Sequence, residues 1–419
     1  LRASRHRRGA VGQGILTEIA AQVGTPCYVY SADHVRAQYA ALTEALAGVP
    51  HRVHYSVKAN GNLGVLRLLR ELGAGVDIVS GGELFRARQA GFAGADVVFS
   101  GVGKSERELR DAVAAGVLLV NVESSDELDR LDAAAQAAGA VAQVGIRVNP
   151  DVSVHTPHPY TRTGEGSMRF GVPGDQVLDL VARARTMRGI RVAGLGVHIG
   201  SQIVDTAPYR HAAERLLALV DEVRGTGYEG LHFLDLGGGL AVSYDHQPGA
   251  DVRAWGAIAA DAARRSGLAL IVEPGRFLIA NAGVLLTRVL YRKQSGDKTY
   301  VITDAGMTEL LRPSHYDAYH RIEAVVPRAT RSVVDVCGPV CESGDFLALD
   351  RELDDVEAGD LLTVHSAGAY GFVMSSTYNA RPRPAEVLMD GRRWAVVRAR
   401  ESYEDLVQHE MATPHWREA

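Results

Sequence analysis

From about residue 50 to about residue 280 the chain repeats one pattern eight times: a short apolar run ending in glycine or polar residues, then an amphipathic stretch rich in Leu, Ala, Arg and Glu. The runs are "RVHYSVK", "AGVDIVSGG", "DVVFSG", "LLVNVES", "AQVGIRVNP", "VAGLGVHIGS", "LHFLDLGGG" and "LALIVEPGR". Between them lie helix-like stretches such as "LGVLRLLRELG", "ELFRARQAG", "ERELRDAVAAG" and "SDELDRLDAAAQAAG", several closing on glycine, the expected helix stop. A strand that is apolar at nearly every position is covered on both faces. Crossover helices provide such cover, and they make the strands parallel. Eight repeats in this length predict a (β/α)8 barrel over residues 31–280. A doubly wound open sheet is the alternative, and it is weakened because no G-x-G-x-x-G follows the first strand.

After residue 281 the pattern changes. "VLLTRVLYRK", "KTYVITDAG", "RSVVDVCGP", "DLLTVHSAGAY", "RPAEVLMDG" and "RRWAVVRARE" are short β runs separated by turn residues. They predict a second, all-β domain over residues 281–419, sandwich- or barrel-like. Residues 1–30, ending near "CYVYS", are expected to join it. A length of 419 residues accommodates two domains. The net charge of -5 argues against a nucleic-acid partner. No apolar run approaches the ~18 residues of a membrane span. The basic opening "LRASRHRRGA" lacks a following apolar stretch, so it reads as a frayed terminus rather than a signal peptide. Three cysteines, Cys27, Cys337 and Cys341, make no disulfide framework, and a reducing cytoplasm is expected. No metal is expected.

Barrels of this kind do their chemistry at the C-terminal ends of the strands. Strand one ends in Lys58, one of only four lysines in the chain. Strand two carries Asp77 and ends in Ser80, Gly81 and Gly82; strand five ends in Arg147 and Asn149. Strand six ends in His198, Gly200 and Ser201, strand seven in Gly237, Gly238 and Gly239, and strand eight in Glu273, Pro274, Gly275 and Arg276. A lysine at a strand end is as readily a solvated cap as an amine nucleophile. A glycine triplet is usually a tight turn, and a strand-end histidine is usually structural. Together they complement one another. Backbone N–H groups and Ser201 suit a phosphate. Glu273 suits a protonated ring nitrogen, His198 can stack on a flat ring, and Lys58 can condense with an aldehyde. Phosphate, pyridine and aldehyde together describe pyridoxal 5'-phosphate.

Here the chain resembles the fold-type III pyridoxal-phosphate decarboxylases, and most of all their diaminopimelate decarboxylase branch. The resemblance rests on "YSVKAN", "GVDIVSGGEL", "GVHIGSQ", "DLGGGL", "EPGRFLIANAG", "DAGMTELLRPSHYDAYH", "CESGD", "GAYGF" and "YNARPRPAEVL". It implies a homodimer of barrel and β domain that makes lysine from meso-2,6-diaminopimelate, the last step of lysine biosynthesis. It implies that Lys58 holds the cofactor covalently, that His198 stacks on its ring, and that Glu273 partners the ring nitrogen. Ser201, Gly238, Gly239 and the Gly275-Arg276 backbone match the phosphate cradle. Cys341 matches a proton donor reaching the site from the other subunit, and Tyr370 a contact to cofactor and substrate. Arg276, Arg312, Tyr316 and Glu342 match the grip on the far end of the substrate. The charges agree, since arginine forks suit a distal carboxylate and Glu342 a distal ammonium. Alone, "TELLRPSHYDAYH" reads as a surface helix around a proline.

The chain departs from the family pattern at an extra His155-Thr156-Pro157 and at Arg169, where a lysine is usual before Phe-Gly. Three alternatives stay open: a related decarboxylase acting on another amino acid or a carrier-bound aminoacyl group, a non-catalytic binding homologue, and a racemase on the related barrel. Retention of Lys58 and Cys341 argues against the second, and "CESGD" and "RPSHY" against the third.

Overall fold

The computed structural model describes residues 12–417 except 153, 155, 159, 161, 162, 165–168 and 246. The basic opening and His155 thus lie outside the described residues. The chain divides into two units, one of residues 32–282 and one of residues 1–31 with 283–419.

In the first unit the eight apolar runs become eight parallel strands. In chain order after β1 (Cys27–Ser31, in the other unit) they are β2 (His51–Ser56), β3 (Gly75–Ile78), β4 (Val97–Phe99), β5 (Leu119–Val122) and β6 (Ala142–Asn149). A two-residue strand β7 (Val172–Pro173) follows, then β8 (Ile190–Gly196), β9 (Phe233–Asp235) and β10 (Ala269–Val272). The order is β5-β4-β3-β2-β10-β9-β8-β6, and a β5–β6 pairing closes the barrel. β7 is an appendage on β6 that the apolar pattern does not announce, because two residues carry no period. Val98, Leu119, Ala193 and Ile271 come from four strands and pack into one cluster.

Local chemistry sets the helix ends. Ser80, Ser105 and Ser124 each cap a helix by accepting a hydrogen bond from a backbone N–H three residues on. Gly91 and Gly116 close "ELFRARQAG" and "ERELRDAVAAG" at φ values of 94° and 62°, where a side chain is disfavoured. The turns after β3 and β5 are two residues long, Val79–Ser80 and Glu123–Ser124, and the ends of the parallel strands share one rim.

The second unit is a mixed nine-stranded sheet. β1 lies inside it, antiparallel to β11 (Gly283–Ser295) and parallel to β17 (Ala385–Asp390). The remaining strands are β12 (Lys298–Thr303), β13 (Ile322–Ala324), β14 (Arg331–Cys337), β15 (Phe346–Asp354), β16 (Leu361–Val364) and β18 (Arg393–Arg398). The unit is not purely β: helices Gln13–Val23, Arg312–Tyr316 and Tyr403–Val407 belong to it. Leu16 and Ile19 of the first helix pack against Cys27, Val29, Leu286 and Val387 of the sheet. β13 and β15 escape the apolar pattern, the first for its length and the second because "FLALDRELD" is half charged.

Candidate active site

β2 ends at Ser56, and the chain enters a single helical turn, Val57–Ala59, that carries Lys58. The Lys58 Nζ lies 3.5 Å from Oδ2 of Asp77 on β3. Asp77 is fully buried. Its Oδ2 accepts from the Ser56 hydroxyl at 2.9 Å, and its Oδ1 has no hydrogen-bond partner. A buried carboxylate oxygen with no donor is costly unless something else answers it.

Glu273 follows β10 and is buried, as is Asp235 at the end of β9. Asn121 on β5 donates to both carboxyls, at 3.3 Å to Asp235 and 3.4 Å to Glu273, and the Ser100 hydroxyl donates to Glu273 at 3.3 Å. Burial holds the Glu273 carboxyl well above its ordinary value, and the nearby charges of Asp235 and Asp77 push the same way. Burial raises Asp235 too. Three acids gathered in a low-dielectric floor cannot all ionise, so the pair formed by Glu273 and Asp235 retains a proton.

His198 follows β8. Burial, with the charges of Lys58 and Arg147, holds its ring well below the usual histidine range, so it is a flat, uncharged ring at neutral pH. Its Nδ1 accepts from the Gly238 N–H at 3.3 Å. The glycine triplet is therefore not simply a row of donors facing outward. The Gly237 N–H goes to Asp235 at 2.8 Å and the Gly238 N–H to the histidine ring. Glycine is needed at Gly238 because a Cβ there would come within 2.2 Å of the Glu273 carbonyl oxygen, and at Gly239 because φ is 96°.

Gly275 begins the short helix Arg276–Ile279, and the Pro274 carbonyl accepts from the Ser56 N–H at 3.1 Å. The Arg276 side chain is buried. Its NH2 donates to the Ser201 hydroxyl at 3.0 Å, and its NH1 donates to the Tyr244 hydroxyl. Arg147 is committed to Glu123 at 2.9 Å, while the Asn149 side chain accepts from the Asp151 N–H.

The β unit holds the remaining candidates. Arg312 opens the five-residue helix Arg312–Tyr316 and is buried, with its guanidinium carbon 5.7 Å from the centre of the Tyr316 ring. The surface-helix reading of this stretch accounts for its form but not for the burial of its arginine. Cys341 is exposed, and its thiol donates to Oδ1 of Asn379 at 3.1 Å. Glu342 is also exposed and hydrogen-bonds Tyr378, which holds that phenol above its ordinary value. Tyr370 and Asn379 both have a φ of 55°. Such strain in a tyrosine is rare, and it clusters where function fixes a side chain.

Sequence reasoning passed over Asp235, Asn121, Asn379 and Tyr244. Asp235 opens "DLGGGL" and Asn379 lies inside "YNARPRP", stretches marked for their other residues, and Asn121 sits within the apolar run "LLVNVES". Asp235, Asn121 and Tyr244 become neighbours of the site only when the barrel closes.

The arrangement at the barrel rim fits pyridoxal phosphate on its own chemistry: an accessible amine beside an incompletely satisfied carboxylate, an uncharged ring, and a proton-retaining carboxyl pair. Comparisons with known proteins agree. Residues 32–280 match the family described as pyridoxal-dependent decarboxylase, pyridoxal binding domain. The chain is 51% identical to the diaminopimelate decarboxylase of Pseudomonas aeruginosa, over 95% of this chain and 96% of that protein. It is 44% identical to that of Aquifex aeolicus, over 94% and 93%. Among solved structures, the diaminopimelate decarboxylase of Helicobacter pylori in complex with L-lysine superposes with a TM-score of 0.91 at 38% identity, covering 94% of this chain and 98% of that one.

Proposed function

Because this chain belongs to the pyridoxal-dependent decarboxylase family, in its diaminopimelate decarboxylase branch, we propose that it is the carboxy-lyase converting meso-2,6-diaminopimelate to L-lysine and carbon dioxide. The observation that carries this reading is the convergence of Lys58, an uncharged His198 and the proton-retaining Glu273 at one rim of such a barrel.

Pyridoxal phosphate, when bound, supplies an aldehyde that takes the substrate amine and a ring that accepts the electrons left by departing carbon dioxide. Lys58 is the amine that holds the cofactor at rest, and Asp77 keeps that amine at the rim. Glu273 keeps the ring nitrogen protonated, with Asp235 and Asn121 holding the carboxyl in place. His198 would offer the ring a neutral plate to pack on. Ser201, Gly238, Gly239, Pro274 and Gly275 surround the phosphate, and Arg276 ties Ser201 to Tyr244.

Specificity requires both signs of charge at the far end of the substrate. Arg312, with Arg276 and Tyr316, takes the distal carboxylate, and Glu342 takes the distal ammonium. The working unit is a homodimer in which the partner subunit's Cys341 and the partner subunit's Glu342 complete each site. Its support is the family resemblance and the exposure of both side chains in the single chain. That thiol would supply the proton that replaces the departing carboxylate, and Tyr370 would contact cofactor and substrate. Among the described residues no helix is long and apolar enough to cross a membrane, and the substrate is a cytoplasmic amino acid in this reading.

The test is direct. Purified protein with pyridoxal phosphate is given meso-diaminopimelate, ornithine, arginine or glutamate, and release of carbon dioxide and of lysine is followed. Turnover of ornithine or arginine in preference to diaminopimelate would remove the substrate assignment.

A further inference from the structure

The glycine triplet is gripped by a tyrosine. Tyr209 lies in the first turn of the helix Ala207–Gly225, which follows β8. Its ring is buried and meets Trp255 of the helix Val252–Ser266 edge-on, with 6.3 Å between ring centres and 81° between planes. Its hydroxyl donates to the Gly238 carbonyl at 3.1 Å. Burial holds the phenol above its ordinary value, so it keeps its proton and remains a donor at neutral pH.

That bond fixes one peptide unit. The Gly238–Gly239 peptide is planar and trans, so its carbonyl and its N–H point in opposite directions. With the carbonyl turned to Tyr209, the Gly239 N–H is turned away from it. The rest of the triplet is committed: the Gly237 N–H goes to Asp235, the Gly238 N–H to the His198 ring, and the Gly239 carbonyl accepts from the Ile203 N–H at 2.9 Å. Among the described residues nothing accepts from the Gly239 N–H. Gly239 is also the one member of the triplet that is not buried. A Cβ at Gly239 would clash with the Gly200 carbonyl oxygen and crowd the Tyr209 hydroxyl at 3.1 Å.

A buried hydroxyl needs an acceptor, and packing on Trp255 needs only the ring. Here the acceptor is the carbonyl of the very peptide that carries the triplet's open donor. We propose that Tyr209 is a positioning residue for the phosphate cradle: by holding the Gly238 carbonyl it aims the Gly239 N–H at the phosphate of pyridoxal phosphate. This rests on the glycine triplet facing that phosphate, as proposed above.

Tyr209→Phe removes the hydroxyl and keeps the ring against Trp255. Cofactor-free wild type and variant are titrated with pyridoxal 5'-phosphate and with pyridoxal, which has the same aldehyde and ring but no phosphate, and binding is followed by absorbance. The variant is expected to bind pyridoxal phosphate about fivefold more weakly, the scale of one hydrogen bond, and to bind pyridoxal as wild type does. A change that only loosened the barrel would weaken both, and an equal loss overturns the proposal. Unchanged affinity for both overturns it as well. Should the variant melt below the titration temperature, inorganic phosphate decides, through the rise it causes in the thermal midpoint of the cofactor-free protein. A smaller rise in Tyr209→Phe than in wild type supports the proposal, and an equal rise overturns it. Wild type that binds pyridoxal and pyridoxal phosphate equally removes the cradle reading and this inference with it. A preference for pyridoxal phosphate that is the same in wild type and variant removes this inference alone.

Discussion

Lys58, on the turn that follows β2, and Asp77, on the adjacent β3, lie 3.5 Å apart, with the lysine side chain 36% exposed and the aspartate not at all. In the proposed function the exposed member is the reactive one, and the buried member fixes where it stands. Borohydride treatment of the holoenzyme is therefore expected to fix the cofactor to the peptide containing Lys58. Lys104 makes the sharpest control. It too follows a barrel strand, but its amine is fully buried and bound to the Gly101 and Asn121 carbonyls and to Glu127. A label on the Lys104 peptide would sink the assignment.

The acid pair at the barrel rim makes stability depend on pH. Glu273 titrates well above its ordinary 4.5 in the folded, cofactor-free protein. The folded state then keeps a proton that the unfolded state has released, so this group costs stability as pH rises from about 4.5 toward the folded value. Glu273→Gln removes that penalty. The cofactor-free variant is expected to melt higher than wild type at pH 8 and to lose the advantage by pH 4. With cofactor bound, the same variant is expected to lose about 100-fold in kcat, the scale of removing one preorganised charge partner. Parallel melting curves at the two pH values would contradict the raised titration.

Complementation tests the shared site. Lys58→Ala and Cys341→Ala are each expected to be inactive alone. If each site takes its lysine from one subunit and its thiol from the other, random mixing restores up to about a quarter of wild-type activity, by counting on a symmetric two-site dimer. No recovery after demonstrated subunit exchange places both residues in one chain's site.

Arg312 is expected to separate substrates. It is buried, so its removal leaves a distal carboxylate without its charged partner. Arg312→Ala is expected to lower kcat/KM for diaminopimelate by roughly 10- to 150-fold, which is ~1.5–3 kcal/mol. Lysine has no distal carboxylate, and its slow turnover is expected to change much less. An equal loss for both would make Arg312 a residue of the fold.

What the sequence determined by itself was whatever repeats or lies close along the chain. The eight apolar runs are the eight barrel strands because the period of a covered parallel strand is local. Lys58, His198, Glu273 and the glycine triplet could be placed at one rim because each closes a run, and strand ends in a barrel share a face. The helix stops at Gly91 and Gly116 were legible for the same reason. Tertiary structure alone decided which of these groups answer one another. Asp235 and Glu273 retain a proton only because barrel closure buries them together with Asp77. The Gly238 N–H turns to His198 across 40 residues of chain. β15 forms from a half-charged segment because β14 pairs with it, not because of its own pattern. Arg312 reads as a surface helix residue until the turn at Asp317 folds His320 onto it and both become buried. Periodicity is a property of neighbours in sequence. Charge, tautomer and proton sharing are properties of neighbours in space, and only the folded chain supplies those.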